Sequence, residues 1–225
     1  MKFPAMPVEF FPALSAIPGL VHGFVTRIPG VAVDVDRAEA LARLKPEHDR
    51  ILTRDLGIEP ASLWLAEQVH GDRVSVCPPT EGVERLQPGS DGLATATPGE
   101  FLGIYVADCC AVWLVDPVRR ACALVHSGKN GSALGIAPQA VGLMAERFGS
   151  RAADLTVQLS PCIRPPAYEI DFAARIREDC AAAGVPADRI HDPGVCTSRD
   201  LDRYYSYRAE MGKTGRMLAV AGWKA

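Results

Sequence analysis

Three side chains that can bind a soft metal ion stand beside apolar stretches of this sequence. His70 lies in EQVHGDRV, Cys109 follows the apolar run FLGIYVA and Asp108, and His126 directly follows RACALV. Apolar runs of this length are typical of buried strands, so both Cys109 and His126 are expected at strand ends. They are 17 residues apart, which is enough chain for one strand and an antiparallel return strand. We therefore expect them on neighbouring strands, at the same end of the sheet.

A thiolate with two imidazoles is a donor set that suits Zn²⁺ and leaves the fourth position for water. A metal held in this way lowers the pKa of its bound water or polarises a substrate oxygen. A plainer interpretation is a hydrogen-bonded His at the rim of a sheet and a Cys that packs as a small hydrophobe. Residue types and spacing leave both open. Cys110 should point to the opposite face of its strand, into the core.

Further polar residues near these segments are weaker candidates for a site. Arg27 at the end of HGFVTR, Gln68 and Asp108 are candidates for catalysis, and Arg27 is also a candidate for binding substrate. Lys129 in GKNG could hold an anion, but the phosphate-loop spacing is absent and a tight turn is the preferred interpretation.

A second cationic segment, RYYSYRAEMGKTGRM, lies near the C-terminus. Its Arg208 is a candidate for binding substrate. Together with Arg216 and the tyrosines at 204, 205 and 207, it could stack on a flat base and hold an anion. The preferred interpretation is a solvated loop whose aromatic rings pack on the core.

Periodicity and turn signals predict a mixed α/β fold in which a mixed sheet is layered against flanking helices. No repeat or linker divides the chain, which predicts one domain over 1–225. Helices are expected at 36–57, broken at Pro46 and stopped at Gly57, at 133–148 with Ser132 as N-cap, and at 168–183. Strands are expected at 19–27, 62–66, 72–77, 91–96, 101–107, 111–116, 120–126, 154–159 and 216–221.

Composition narrows the function classes. The formal net charge is −3 and the basic residues are scattered, which disfavours nucleic-acid and membrane partners. Met1–Pro12 lacks the pattern of a secretory signal, and the seven cysteines show no framework spacing. We therefore expect reduced thiols in the cytoplasm and a small-molecule ligand, while the oligomeric state stays open.

The motifs HGFVTR, EQVHGDRV, DGLAT, VADCC, VHSGKNG and SPCIRPPAYEIDF occur in the order found in one family. On these motifs, the chain resembles the laccase-domain, or polyphenol-oxidase-like, family over about residues 20–218. In that family the His, Cys and His of Q-V-H-G, A-D-C and V-H-x-G-x-x-G ligate zinc, which implies His70, Cys109 and His126 here. Lys129 and Asn130 stand where the family usually has Trp and Arg.

The resemblance implies a zinc-dependent purine nucleoside phosphorylase that acts on adenosine, inosine or methylthioadenosine with phosphate, and an accompanying adenosine deaminase activity. Three alternatives remain. A copper-dependent polyphenol oxidase is less favoured because the chain has five His, and His48 and His191 are expected to be exposed. A cysteine hydrolase would use Cys109 with His126 on an amide such as a peptidoglycan fragment. A non-enzymatic binding or editing factor is the third.

Overall fold

A computed structural model of the protein describes residues 7–78 and 85–225, so the first half of the segment Met1–Pro12 lies outside the described residues. The α-helices are α1 (Pro12–Ser15), α2 (Arg37–Ile51), α3 (Lys129–Leu134), α4 (Ile136–Phe148) and α5 (Phe172–Ala182). The strands are β1 (Val8–Glu9), β2 (Leu20–Val25), β3 (Leu63–Ala66), β4 (Val74–Val76), β5 (Leu86–Gln87), β6 (Gly92–Thr95), β7 (Phe101–Val106), β8 (Cys110–Asp116), β9 (Ala121–Ser127), β10 (Thr156–Leu159), β11 (Ile190–His191) and β12 (Met217–Trp223).

The strands form two mixed six-stranded sheets, which confirms the mixed α/β class. One sheet has the order β1-β2-β12-β7-β3-β5 and the other the order β11-β10-β8-β9-β6-β4. All nine expected strands are present, but the pattern did not separate the two sheets, and it missed the two-residue strands β1, β5 and β11. The chain passes from the first sheet to the second between β7 and β8, at Asp108 and Cys109.

The two faces of β8 explain how the layers pack. Ala111, Trp113 and Val115 belong to the core that lies between the two sheets, and the alternate residues Val112 and Leu114 belong to a second core with α4 and α5. Successive side chains of a strand point to opposite faces, so a strand covered on both faces is apolar throughout. Cys110 is fully buried in the second core, as expected.

The expected break of the helix at Pro46 is wrong. Helix α2 runs through Pro46 and continues as a π-helical turn over Leu52–Leu56, and Gly57 ends it in the left-handed conformation with φ 65°. Pro46 lies on the exposed face, while Leu44 and His48 on either side of it are buried. Packing of that apolar face therefore outweighs the hydrogen bond that proline cannot donate.

Two other helix starts differ from expectation. The GKNG segment is not a plain turn, because α3 begins at Lys129, so Ser132 lies inside a helix and does not cap one. Gly135, at φ 75°, then redirects the chain into α4, which leaves Leu134 half exposed at the end of α3. Helix α5 begins four residues later than predicted because the Asp171 carboxylate caps it by accepting from the Ala174 amide.

The placement of His48 is also corrected. It was expected on an exposed helix face but is only 1% exposed, and neither ring nitrogen has a hydrogen-bond partner. His191 lies half-buried in β11. All seven cysteines are free thiols. No helix within the described ranges is long and apolar enough to cross a membrane.

Candidate metal centre

The three predicted ligands meet where the ends of the two sheets adjoin. His70 follows β3 of the first sheet, Cys109 lies in the turn between β7 and β8, and His126 is the next-to-last residue of β9. Strands β8 and β9 are antiparallel, with Ala111 opposite His126. This register places Cys109 beside His126 at one sheet end, and the third ligand comes from the facing sheet.

The geometry fits a single small ion. One ligand atom from each of His70, Cys109 and His126 lies within 4.8 Å of the other two. The two imidazole rings are 4.9 Å apart between centroids and nearly perpendicular, at 80°. His70 is exposed, Cys109 is partly buried and His126 is buried, so the site is open on the His70 side. Two nitrogens and one sulfur around such a volume are a donor set for Zn²⁺ with one free position.

A buried carboxylate, Asp91, connects both histidines. No role was predicted for it from the sequence. Asp91 lies directly before β6 and is fully buried; its Oδ1 is 2.8 Å from Nδ1 of His126. It also accepts hydrogen bonds from the backbone amides of Val69 (3.1 Å), His70 (2.9 Å) and Gly71 (2.7 Å). A carboxylate on the far nitrogen of a ligating histidine fixes its tautomer and orientation. The signal available was the Asp of DGLAT at the start of a buried strand.

Backbone strain is concentrated around the ligands. Gln68, His70 and Asp108 have φ of 62°, 64° and 78°, which non-glycine residues rarely adopt. Each is fixed by hydrogen bonds: the Asp91 carboxylate holds His70, and the Gln68 amide donates to the Tyr105 carbonyl (2.6 Å) and accepts from the Tyr105 amide (3.0 Å). Such strain persists only where the surroundings over-determine it, and it is common at functional sites.

Asp108 fixes the other side of Cys109. Its carboxylate accepts from the hydroxyls of Thr197 (2.6 Å) and Ser206 (3.0 Å) and from the backbone amide of Arg208 (2.7 Å). Both Gln68 and Asp108 line the cavity beside the ligands. Because their polar atoms are engaged in these bonds, their geometry indicates positioning rather than proton transfer.

Cys109 and His126 alter each other's pKa. Burial of Cys109 would raise the pKa of its thiol, but hydrogen bonds and charge from His126 and His70 outweigh burial and lower this pKa to about 6. Burial of His126 would lower the pKa of its imidazole, but Asp91 and Cys109 raise this pKa to about 9. Burial of Asp91 would raise the pKa of its carboxyl group, but His126 and the backbone amides of Gly71 and His70 outweigh burial and hold this pKa below its usual value. Thiolate, the metal-binding form, is therefore favoured.

Gly128 gives the sulfur its space. A Cβ atom at this position would lie 2.4 Å from Sγ of Cys109. Gly128 has φ −108° and ψ −152°, an extended conformation open to other residues. The close approach to the sulfur therefore requires glycine at this position, whereas the backbone conformation does not.

A cavity of about 980 Å³ opens in front of the three ligands. Of the weaker substrate candidates, Lys129 and Arg208 line it, and Arg27 does not. Arg27 instead pairs with Glu210 at 2.7 Å and stacks 4.3 Å from the Tyr205 ring.

The C-terminal tyrosines divide between core and cavity. Tyr204 and Tyr205 pack into the core, as the preferred interpretation expected. Tyr207, 54% exposed, lines the cavity with Arg208 and Arg216. The aromatic and cationic residues of this segment thus contribute both to the core and to the site.

Fold and site together define a class: an α/β protein of two mixed sheets whose ends bring two His and one Cys together beside an open cavity. The family described as multi-copper polyphenol oxidoreductase laccase matches residues 35–175 and 169–224. The chain therefore belongs to this family, which is the one that the sequence motifs resemble.

Relatives and solved structures agree with this membership. A protein of Deinococcus radiodurans named purine nucleoside phosphorylase is 31% identical, over an alignment that covers 99% of this chain and 95% of the relative. Purine nucleoside phosphorylase YlmD of Geobacillus stearothermophilus is 30% identical, over 72% of this chain and 73% of its own. The crystal structure of YlmD from Geobacillus stearothermophilus superposes with a TM-score of 0.82 at 27% identity, covering 96% of this chain and 94% of that one.

Proposed function

We propose that this protein is a zinc-dependent purine nucleoside phosphorylase acting on adenosine, inosine or methylthioadenosine, with adenosine deaminase activity at the same site. The observation that carries the proposal is the convergence of His70, Cys109 and His126 on one open cavity. The names of relatives at about 30% identity supply the substrate class. The free thiols accord with a cytoplasmic enzyme.

The chain's own residues have distinct tasks in this proposal. Asp91 accepts the Nδ1 proton of His126, which leaves the Nε2 lone pair for the metal. Tyr105, Tyr168 and Tyr207 line the cavity and offer rings on which a flat purine can stack. Zinc bound by the three ligands supplies a Lewis acid that polarises a substrate oxygen or lowers the pKa of water.

The proposal is tested with a panel of purine nucleosides, with and without phosphate, on metal-loaded protein. Chromatography measures the free base, an ammonia assay measures deamination, and elemental analysis identifies the metal. The exposed His70 is replaced in His70→Ala, and His191→Ala, in β11 and outside the cavity lining, is the matched control.

We expect zinc at about one ion per chain and phosphate-dependent base release in the wild type and in His191→Ala. His70→Ala should lose at least about 100-fold in metal affinity or activity, because even residues behind a metal ligand contribute 10–100-fold. Absence of base and ammonia from every nucleoside, with His70→Ala indistinguishable from wild type, would overturn the proposal.

A cysteine hydrolase is the second candidate, and one observation favours it. Cys109, His126 and Asp91 form a chain of thiol, imidazole and carboxylate, with Asp91 2.8 Å from Nδ1 of His126 and the pKa of Cys109 lowered to about 6. This is the arrangement of a nucleophile, a base and an orienting group. Amide hydrolysis that survives chelators and is abolished by stoichiometric thiol labelling would favour it over the phosphorylase.

Copper oxidase chemistry has less support from this chain. Multicopper sites require several clustered imidazoles. Within 7–78 and 85–225, His70, Cys109 and His126 are the one group of three metal-binding side chains, and His22 and His48 are buried elsewhere. Copper content below stoichiometry in protein purified without added copper is the expected result.

A further inference from the structure

The cavity contains a nearly buried guanidinium without a carboxylate partner. Arg216, directly before β12, is 9% exposed and lines the cavity. Its Nη1 donates to the carbonyls of Thr214 (2.8 Å) and Gly215 (2.9 Å). No carboxylate of the described residues lies within 4 Å of it. These two bonds fix the side chain, and the guanidinium carbon lies 5.8 Å from the centroid of the Tyr207 ring, but no ion pair among the described residues neutralises its charge.

Other half-buried arginines of the fold are paired. Arg27 contacts Glu210, Arg85 contacts Glu100 and Arg164 contacts Asp192, each through an ion pair. Arg216 is more buried than these three arginines, yet it has no ion pair among the described residues. Because a nearly buried charge without an ion pair is costly, the position of Arg216 beside the cavity favours a ligand that supplies negative charge.

A second guanidinium makes the cavity more attractive to an anion. Arg37, in the first turn of α2, also lines the cavity and contacts no carboxylate in the described part of the chain; its one hydrogen bond is a 3.5 Å contact with the Glu67 carbonyl. Burial and then the charge of Arg37 lower the pKa of Arg216, and they outweigh Tyr207, Cys109 and Asp108, which act in the opposite direction. Two like charges close enough to affect each other attract an anion more strongly than either alone.

Alternative anion holders in the cavity are less suited. Arg208 is already paired with Glu169 at 3.0 Å, and both side chains are more than half exposed. Lys129 is exposed at the start of α3. An arginine with free donors in a partly dehydrated cavity binds an oxyanion more strongly than an exposed lysine does.

We infer that Arg216, assisted by Arg37, binds the phosphate co-substrate beside Cys109. The assignment rests on the proposed phosphorylase function. In the reaction, an oxygen of HPO₄²⁻ forms a bond to ribose C1′ as the C1′–N9 bond breaks. The electron pair of that bond goes to the purine, which takes up the phosphate proton, so the products are ribose 1-phosphate and the free base. Arg216 orients the attacking phosphate and contributes no proton.

The test uses metal-loaded protein and inorganic phosphate as the probe. Calorimetry without nucleoside measures phosphate binding, and steady-state kinetics measures KM for phosphate and for nucleoside separately. The variants are Arg216→Gln and Arg37→Gln, with Arg175→Gln, on the exposed face of α5, as a control of equal charge change. Arg37 is exposed, so Arg37→Gln stays informative if Arg216→Gln does not fold.

We expect Arg216→Gln to weaken phosphate binding and raise KM for phosphate by about 10- to 100-fold, because a hydrogen bond between charged groups is lost. Arg37→Gln should raise it by about 2- to 5-fold, as for an exposed charge. KM for nucleoside should change by less than about 3-fold in both, and Arg175→Gln should match wild type.

The outcomes separate this inference from the proposed function. Phosphorolysis with unchanged phosphate binding in both variants overturns the inference alone. Phosphate binding that depends on Arg216 without any phosphorolysis overturns the proposed function and supports the anion site. Absence of both binding and phosphorolysis in the wild type overturns both.

Discussion

Two groups of side chains that line the cavity are held in place in different ways. The metal wall, defined as His70, Cys109 and His126, has its geometry fixed by the buried carboxylate of Asp91. The cationic wall, defined as Arg37, Arg208 and Arg216, has one exposed ion pair and otherwise unpaired guanidinium groups. The side chains of the first group are oriented by a carboxylate of the protein, whereas the second group lacks a negative charge. The metal wall is therefore preorganised by the protein, whereas the cationic wall requires a bound anion to balance its charge.

The largest effect on this contrast is expected from Asp91→Asn. The change removes the charge that orients His126 and weakens the bonds to three backbone amides. Metal affinity should fall about 10- to 100-fold, and the free energy of unfolding should fall by about 3–5 kcal/mol because a buried pair is broken. Competition with a chromophoric chelator and urea denaturation measure the two quantities.

Asp108→Asn is the matched control for Asp91→Asn. Asp108 is also a buried carboxylate beside Cys109, but it contacts no ligand ring. Asp108→Asn should also reduce stability, but its metal affinity should fall by less than that of Asp91→Asn, since Asp108 acts on Cys109 only through the backbone and touches neither imidazole. Equal losses of metal affinity in both variants would mean that Asp91 has no special role.

A second experiment extends the comparison to a buried histidine, His48, whose ring has no hydrogen-bonded carboxylate. Burial lowers the pKa of His48 to about 4, whereas Asp91 helps to raise that of His126 to about 9. With a folded-state pKa below the ordinary 6.5, His48 takes up its proton mainly in the unfolded state. Stability is therefore lost as pH falls from about 6.5 to about 4, by up to about 3 kcal/mol.

His48→Leu should remove this part of the acid destabilisation and raise stability at pH 7 by about 1 kcal/mol, because neither ring nitrogen has a partner. Urea denaturation of metal-free wild type and variant at pH 7 and pH 4.5 measures both. An unchanged difference between the two pH values would show that His48 is not the titrating group.

The smallest effect is expected at the rim of the cationic wall. The side chains of Arg208 and Glu169 are 57% and 61% exposed, and an ion pair so exposed contributes about 0–1 kcal/mol. The backbone amide of Arg208, bound by Asp108, holds the segment in place whatever the side chain. A double-mutant cycle with Arg208→Gln and Glu169→Gln should give a coupling below about 1 kcal/mol. A larger coupling energy would mean that the cationic wall, like the metal wall, is preorganised by contacts within the protein.

The features that were predictable from the sequence are those that local patterns encode. Apolar runs placed nine strands, and ligand types at the ends of such runs led to the three residues that the structure brings together. The role of Asp91 was not predictable in this way, because it depends on contacts 20 to 35 residues away. The same holds for the unpaired state of Arg216 and for α2 continuing through Pro46, which are set by what lies opposite in space.

Gly128 carries a consequence for how this centre can be altered. Since a methyl group there would lie 2.4 Å from the Cys109 sulfur, Gly128→Ala should displace this sulfur without replacing any of the three side chains. The proposed metal binding should thus be lost through a steric clash alone, with the thiol, the imidazoles and the net charge all retained. A substitution at Gly128 therefore offers a way to inactivate the proposed site while every functional group that lines the cavity stays in the sequence.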